Sequence, residues 1–512
     1  MKQIYPIKPT GRINRRDLPN KIGDDEVLVR ENFWVVGNGE DKRNQKLPGA
    51  NRFSAADTGT SYVWGTRYYS LNIRKTFSFN NGHIYFIDDN GNETQINPPF
   101  SPQAIPASEV FRVSSVDKLL FSDGVNGMWS HDGNAANIFQ QETAVTINAV
   151  GLLSHLDRMF AFEEDSEDLL FSKNLDPTNF TDSTDAGLIT IGPRRGSKIM
   201  QIALLGGTIY IFKQDSIWRL TGRTPSEFQV DEVHPYLGCS ARRSVVNTES
   251  GIIFQASDFE FYFFGGTVES TILLTYKIAI SGDMTKNLVP IINRDLAYKS
   301  VATYHNKIYR CSMVENGGTT QTIEYCFNTV NETDFITRDF NISCYIKWDR
   351  SPDKGELFTG RADLGRLMKQ YIGLNTDNGA TSPNMRFQLQ TKFVGSSEPR
   401  NIRFKRAYFN VGVLAGAQPI PCYYYLDCRT AQSDSATDDW ATRGEYKSPT
   451  SFITINSQRA ISSRVNLDYG KSKGQNISFY IDYTAKDIDF ELESIQLEAL
   501  VKPMKFSEKV GA

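Results

Sequence analysis

A short apolar run, a polar turn and a returning apolar run recur seven times between residues 82 and 373. The units are GHIYFIDDNGNETQI (82–96), DKLLFSDGVNGMWSHDG (117–133), LDRMFAFEEDSEDLLFSKN (156–174), GTIYIFKQDSIWRLTG (207–222), GIIFQASDFEFYFFGG (251–266), NKIYRCSMVENGGTTQTIEYCFN (306–328) and GELFTGRADLGRLMKQYIG (355–373). Each reads as a β-hairpin, most plainly the first, where Asn90-Gly91 marks a two-residue turn. Their first strands centre on Ile84, Leu119, Met159, Ile209, Ile252, Ile308 and Leu357, at intervals of 35, 40, 50, 43, 56 and 49 residues. One hairpin cannot bury both of its faces, so units at this spacing must stack on one another. The interval fits a four-stranded propeller blade of about 40–50 residues.

The remaining sequence divides around that array. After residue 382 the texture becomes strict alternation, as in MRFQLQTKF, NIRFKRAYFNVGV, QNISFYIDY and DIDFELESIQLEALV. In the last of these Ile488, Phe490 and Leu492 share one phase and Ile495, Leu497, Ala499 and Val501 the other, so a bulge is expected near Glu493-Ser494. Residues 1–52 are polar and rich in Arg, Asn and Gly, and DDEVLVRENFWV reads as one short helix capped by Asp24 or Asp25. The expected architecture is therefore all-β: a roughly seven-bladed β-propeller (53–382) and a C-terminal antiparallel β-sandwich (383–512), preceded by an N-terminal arm (1–52) with that helix. Aromatic content of 12% and 38 glycines favour strands and turns over helices.

Function classes narrow by elimination. Lys+Arg 56 against Asp+Glu 59 gives a net charge of −3, so no global basic field marks a nucleic-acid binder. MKQIYPIKPTGRINRR lacks the apolar stretch of a secretory signal, and Met200 to Phe212 is too short for a membrane span. Six cysteines (Cys239, Cys311, Cys326, Cys344, Cys422 and Cys428) in so long a chain read as reduced, buried thiols. Gly470-Lys471-Ser472 would end a Walker loop, but Val465 stands where its first Gly belongs, and Gly37-Asn38-Gly39 lacks the third Gly of a dinucleotide fingerprint. His83, His131, His155, His234 and His305 have no metal-ligand spacing. The acidic turns at 88–93, 163–168 and 181–185 lack the order of an EF-hand. SDGVNGMW (122–129) resembles the Asp-box hairpin of sialidases, with Ser122 and Trp129 in register but Asp123 one place early and Gly127 one place late. No catalytic, cofactor or metal-binding residue is assigned. Basic residues of the arm, Arg12, Arg15 and Arg16 with Trp34 beyond them, are the candidate contacts to a protein neighbour; contact with DNA phosphates and a simply solvated arm are the other readings.

The third hairpin carries a more specific signal. HLDRMFAF…LLFSKNLDPTNF resembles a segment of tail and head-completion proteins of double-stranded DNA bacteriophages. In that family an (H)xDRL strand leads to a (Y/F)(Y/F)S strand, a DPxxF loop and a region rich in Ser, Asp and Gly. His155, Asp157, Arg158, Phe171, Ser172, Asp176, Pro177 and Phe180 match, and Met159 replaces the usual Leu. LGCSARRSVVNTESGIIFQASDFEFYFFGG resembles a later blade of the family at Gly238, Cys239, Ser244, Gly251 and Phe264-Gly265, and departs from it at Phe259-Glu260. GRINRRDLPNKIGDDEVLVRENFW…LPG resembles its opening. The likeness spans roughly residues 10–270, with loose motifs in a specific order. It implies a non-enzymatic virion protein without cofactors, made in the host cytoplasm and incorporated at the tail or head–tail junction. Such a protein forms a homo-hexameric ring, a nozzle or DNA-retaining plug, against the connector or adaptor and other tail proteins. It passes or holds double-stranded DNA without reading its sequence. The DPTNF tail would then be an inter-blade connection pinned by Arg158. A propeller that binds glycans or hydrolyses glycosides is the alternative, and it would show a concave pocket with converging arginines and carboxylates.

Overall fold

The computed structural model describes residues 2–14, 22–54, 63–265 apart from a few short breaks, 292–348 apart from 339, 355–371, 385–395, 402–415, 419–426, 448–454, 463–467 and 473–501 apart from 486–488. Seven antiparallel units follow one another along the chain. Blade one is Val63–Tyr69, Arg74–Asn80, His83–Ile87 and Glu93–Ile96; blade two begins with Ala107–Val113, blade three with Ala149–His155 and blade four with Ile199–Leu205. Blade five shows three described strands from Val246–Asn247, blade six four strands from Val301–His305, and blade seven runs from Ile342–Trp348 to Leu367–Gln370. Each first strand touches the first strand of the next blade, and that of blade seven touches Val63–Tyr69 of blade one. Seven inner strands thus close a ring, which makes this body a seven-bladed propeller. Six of the seven hairpins legible in the sequence are second and third strands of a blade, and the first, residues 82–96, is the third and fourth strands of blade one.

The inner hairpins turn tightly. Leu156 and Asp157 both have positive φ (47° and 56°), as do Asn306 and Lys307 (51° and 64°) and Gly206 and Gly207 (59° and 80°). Two successive left-handed residues define the type I′ turn, whose twist matches that of its strands. Between blades, apolar faces interleave. Phe160, Phe162 and Ile199 of blades three and four share one cluster, and Phe212, Phe254 and Phe264 of blades four and five share another. Each such fully buried side chain contributes about 1.5–3 kcal/mol relative to exposure.

Residues 2–52 correct the expectation of a helical arm. Val27–Glu31 and Phe33–Val36 are strands, separated by Asn32 at φ 54°. Val27 and Val29 are β-branched, and the segment finds hydrogen-bonding partners far away in sequence, so sheet pairing overrides the apparent helix signal. Val27–Glu31 lies between Thr333–Arg338 of blade six and Met385–Thr391, merging them into one ten-stranded sheet. Ala50–Arg52 pairs with Leu367–Gln370 and completes blade seven, so the propeller closes with a strand from the front of the chain. Lys2–Ile7 and Arg43–Lys46 pair with Asp489–Val501.

Those pairings build a sandwich. One sheet runs Phe33–Val36, Arg43–Lys46, Asp489–Val501, Ile402–Ala415 and Ser463–Asn466; the facing layer holds Val27–Glu31, Met385–Thr391, Asn476–Ala485, Pro419–Leu426 and Ser448–Thr454. Phe33, Phe387, Phe409, Phe479 and Phe490 fill the space between them, with Phe33 edge-on to Phe387 at 5.2 Å. The expected bulge is present: Asn410 pairs with Ser494 and Val411 with Leu492, skipping Glu493. Leu492 before it and Ile495 after it both reach the core.

Candidate functional site

A cavity of about 450 Å³ opens where the inner strands of blades two to six begin. Its charged lining comes from segments that lead into those strands or from hairpin turns at the same rim. Lys198 immediately precedes Ile199–Leu205, Arg242 and Arg243 lie just before Val246–Asn247, and Lys299 ends the 3-10 turn Arg294–Lys299 ahead of Val301–His305. Asp123 and Glu164 come from the second hairpin turns of blades two and three. Four cations against two carboxylates leave a lining charge of +2 in a chain of net −3.

The two carboxylates are committed. Asp123 Oδ1 accepts the backbone N–H groups of Val125 (2.9 Å) and Asn126 (2.7 Å), and Oδ2 accepts Asn126 Nδ2 (2.6 Å) and the Ser101 N–H (3.1 Å). The resemblance of SDGVNGMW to an Asp box is thus a resemblance between turn-fixing carboxylates. Glu164 takes Arg242 Nη2 at 2.7 Å and Lys198 Nζ at 3.5 Å, and Lys198 also meets Asp165 at 2.7 Å. Arg242 Nε donates to the Met200 carbonyl at 3.2 Å, and its guanidinium lies 5.6 Å from the Phe162 ring. Arg243 sits 4.6 Å over Trp64 of blade one, and Lys299 Nζ donates to the Thr319 carbonyl at 3.0 Å. The arrangement favours holding an anion over moving protons, because both acidic groups already serve as acceptors.

No single hairpin shows this cavity, because closure of the ring assembles it. A signal did exist: three successive inner strands, in blades four to six, are each preceded within a few residues by Lys or Arg.

The DPTNF tail is corrected in place. It connects Asp168–Phe171 to Gly187–Thr190, the third and fourth strands of one blade, so it is an intra-blade loop. Arg158 does pin it. One guanidinium nitrogen donates to the carbonyls of Ser172 (2.8 Å) and Asp185, and the other donates to the Asp185 carboxylate. The Arg158 hydrogen bond, more than any other contact, holds the Asp185 carboxyl below the usual carboxylate range. Successive Asx turns at Asp176, Asn179 and Asp182 carry the backbone between these anchors. The Gly238–Ser244 motif is a blade-four to blade-five joint. A Cβ on Gly238 would stand 2.3 Å from the Lys213 carbonyl, Cys239 N–H donates to that carbonyl at 2.8 Å, and Ser244 Oγ donates to Ala241 at 2.7 Å.

Of the candidate neighbour contacts, Arg12 lies 5.7 Å from the Phe327 ring, and Trp34 stacks on Tyr371 at 6.0 Å while donating to Gln45 at 3.3 Å. Arg15 and Arg16 lie outside the described residues, as do Gly470-Lys471-Ser472 and Cys428. Arg30 is fully buried, Lys42 donates to the Asn331 carbonyl at 3.2 Å and Arg43 meets Glu491 at 3.1 Å, so much of the basic stretch binds its own chain. Among the described residues no three His, Cys, Asp or Glu side chains cluster as metal ligands, and no helix is long and apolar enough to cross a membrane.

No family model and no curated protein matches the chain. Solved structures resemble it at low similarity. PorZ, a bacterial surface component of the type-IX secretion system of Porphyromonas gingivalis, is 10% identical with a TM-score of 0.38, over 68% of this chain and 43% of that one. The chain therefore spans less than half the length of PorZ. The computationally designed Ika8 protein (9% identity, TM-score 0.35) is covered over 100% of its length by 63% of this chain. BamB from Moraxella catarrhalis (8% identity, TM-score 0.35) is covered over 99% of its length, again by 63% of this chain. The fold class rests on the seven sheets and the closed ring of inner strands: this is an all-β protein of propeller type with an attached sandwich.

Proposed function

We propose that the chain is a structural component of a double-stranded DNA phage particle. In this reading it is a nozzle or DNA-retaining plug that repeats around the tail channel as a homo-hexameric ring. The observation that carries the reading is the ten-stranded sheet through Val27–Glu31, which joins blade six, at the Glu31–Ile336 pair, to Met385–Thr391 of the sandwich. A subunit of a conduit wall must transmit load without hinging, and a shared hydrogen-bonded sheet gives two bodies no hinge. The order of the motifs from the opening segment to blade five supports the same reading. So does the body of the protein: a stiff propeller whose loops vary without disturbing its core suits contacts with several different neighbours.

The test is the copy number of the chain in purified particles, by quantitative mass spectrometry against the major capsid protein. Six copies per particle or a small multiple is expected from hexameric symmetry; absence from particles overturns the proposal. A glycan-binding or glycoside-hydrolysing propeller is the second reading, favoured by the rim cavity that Arg242 and Arg243 line together with two carboxylates. Hydrolysis fits less well than binding, since Asp123 and Glu164 are both engaged by donors.

A further inference from the structure

The rim cavity has features that a structural wall does not require. It gathers Lys198, Arg242, Arg243 and Lys299 from three successive blades into one concavity, although the protein as a whole is acidic. Low-dielectric walls around like charges focus their field on whatever occupies the space. The donors are held but not exhausted. Arg242 uses Nε and Nη2 within the protein, which leaves Nη1 without a partner among the described residues, and the Lys299 ammonium has a single acceptor there. Beside them stand Val125 and Tyr298, both well exposed at 59% and 58%, although such large apolar groups more often lie inward. Val150 and Met200 continue that apolar wall. The volume lies within the range of about 300–1,000 Å³ typical of small-molecule sites.

We propose that this cavity binds a small oxyanion carried on an apolar body, a carboxylate or a phosphate monoester. Arg242 and Lys299 take the oxyanion, because a guanidinium edge and an ammonium supply charge-assisted hydrogen bonds. Val125 and Tyr298 cover the apolar part, and Glu164 holds Arg242 in position. The site stands whether or not the chain belongs to a ring.

Isothermal titration of the full chain tests this with phenyl phosphate and benzoate as probes, benzyl alcohol as the neutral analogue and inorganic phosphate as the bare anion. Saturable binding of either aromatic anion is expected, stronger than that of inorganic phosphate, undetectable for benzyl alcohol and weakening as salt is raised. Arg242→Gln and Lys299→Gln should each weaken it roughly tenfold. Should Arg242→Gln fail to fold for want of its Glu164 pairing, Lys299→Gln, which gives up one backbone acceptor, still decides the matter. No binding of either anion overturns the proposal, as does equal binding of benzyl alcohol or undiminished affinity in folded Lys299→Gln.

Discussion

Arg30 donates through Nη1 to the backbone carbonyl of Asp334, 304 positions away, at 2.9 Å, while the Asp334 carboxylate accepts the Ile13 N–H at 2.6 Å. The same guanidinium reaches the carbonyls of Gly11 (2.6 Å) and Pro9 (2.8 Å) and the Asn44 side chain (2.9 Å). One buried cation thus ties the first segment and the hairpin after it to blade six. Burial pulls Arg30 down to about 10, which still leaves it charged at neutral pH, and burial likewise raises Asp334.

Replacing Arg30 with Met should therefore be costly. Four acceptors lose a donor inside the protein, of which the Pro9 carbonyl keeps Asn44 Nδ2 at 2.7 Å, and each buried group left orphaned costs about 1–3 kcal/mol. A loss of about 3 kcal/mol or more in urea unfolding is expected, and a loss below about 1 kcal/mol would show that the acceptors find other partners.

Arg158→Met should act locally. The loop 172–185 is anchored by Arg158 at both ends, at Ser172 and at Asp185. Hydrogen exchange of the Asn174 and Leu175 amides should rise sharply while the blade-four amides keep their protection. Uniform loosening of the whole propeller would contradict this account.

Glu109, on the inner strand of blade two, is pushed up to about 7 from an ordinary 4.5 by burial, against the opposing effect of the Ser154 N–H. A raised carboxyl stabilises the fold fully below its unfolded pKa, and that stability is lost as pH climbs through the folded value. Glu109→Gln keeps the acceptor and removes the titration. It should be more stable than the native chain by on the order of 2 kcal/mol at pH 8, and the gap should close toward pH 4.5. Denaturant midpoints at the two pH values check this, and a pH-independent gap would refute it.

Cys239, Cys311, Cys326, Cys344 and Cys422 are free and buried. Burial pushes Cys239 up to about 11 and Cys344 up to about 12, and it raises Cys311 and Cys326 as well. Thiolate is the reactive form, so these groups should resist an aromatic disulfide reagent at pH 8 in the folded protein. At most one of the six cysteines should react quickly, and all six should react after denaturation. Two or more fast thiols in the folded state would contradict the burial.

The blades were legible because their information is local. A hairpin carries its register in its own turn, as Asn90-Gly91 does between His83–Ile87 and Glu93–Ile96. The Glu493 bulge was legible for the same reason, as a phase change inside one strand. Val27–Glu31 misled because its neighbours come from residues 333–338 and 385–391, and a five-residue strand offers no cue to partners so distant. The DPTNF loop was assigned between blades since its fourth strand, Gly187–Thr190, has little apolar signal of its own. Lys198, Arg242 and Lys299 each resemble ordinary surface cations until ring closure gathers them.

Blade seven is finished by Ala50–Arg52, and Ser54 Oγ receives the Leu367 N–H across 313 positions. On a ribosome, that closing strand emerges long before the strand it must join. Lys2–Ile7 waits longer still, since its partner Asp489–Val501 lies several hundred residues further along the chain. These early strands therefore travel as unmated edges while the residues between them and their partners are made, when their unsatisfied backbone is open to other chains. A single polypeptide that seals its circle this way gains a latch against unravelling, and in exchange its birth becomes the most vulnerable moment of its life.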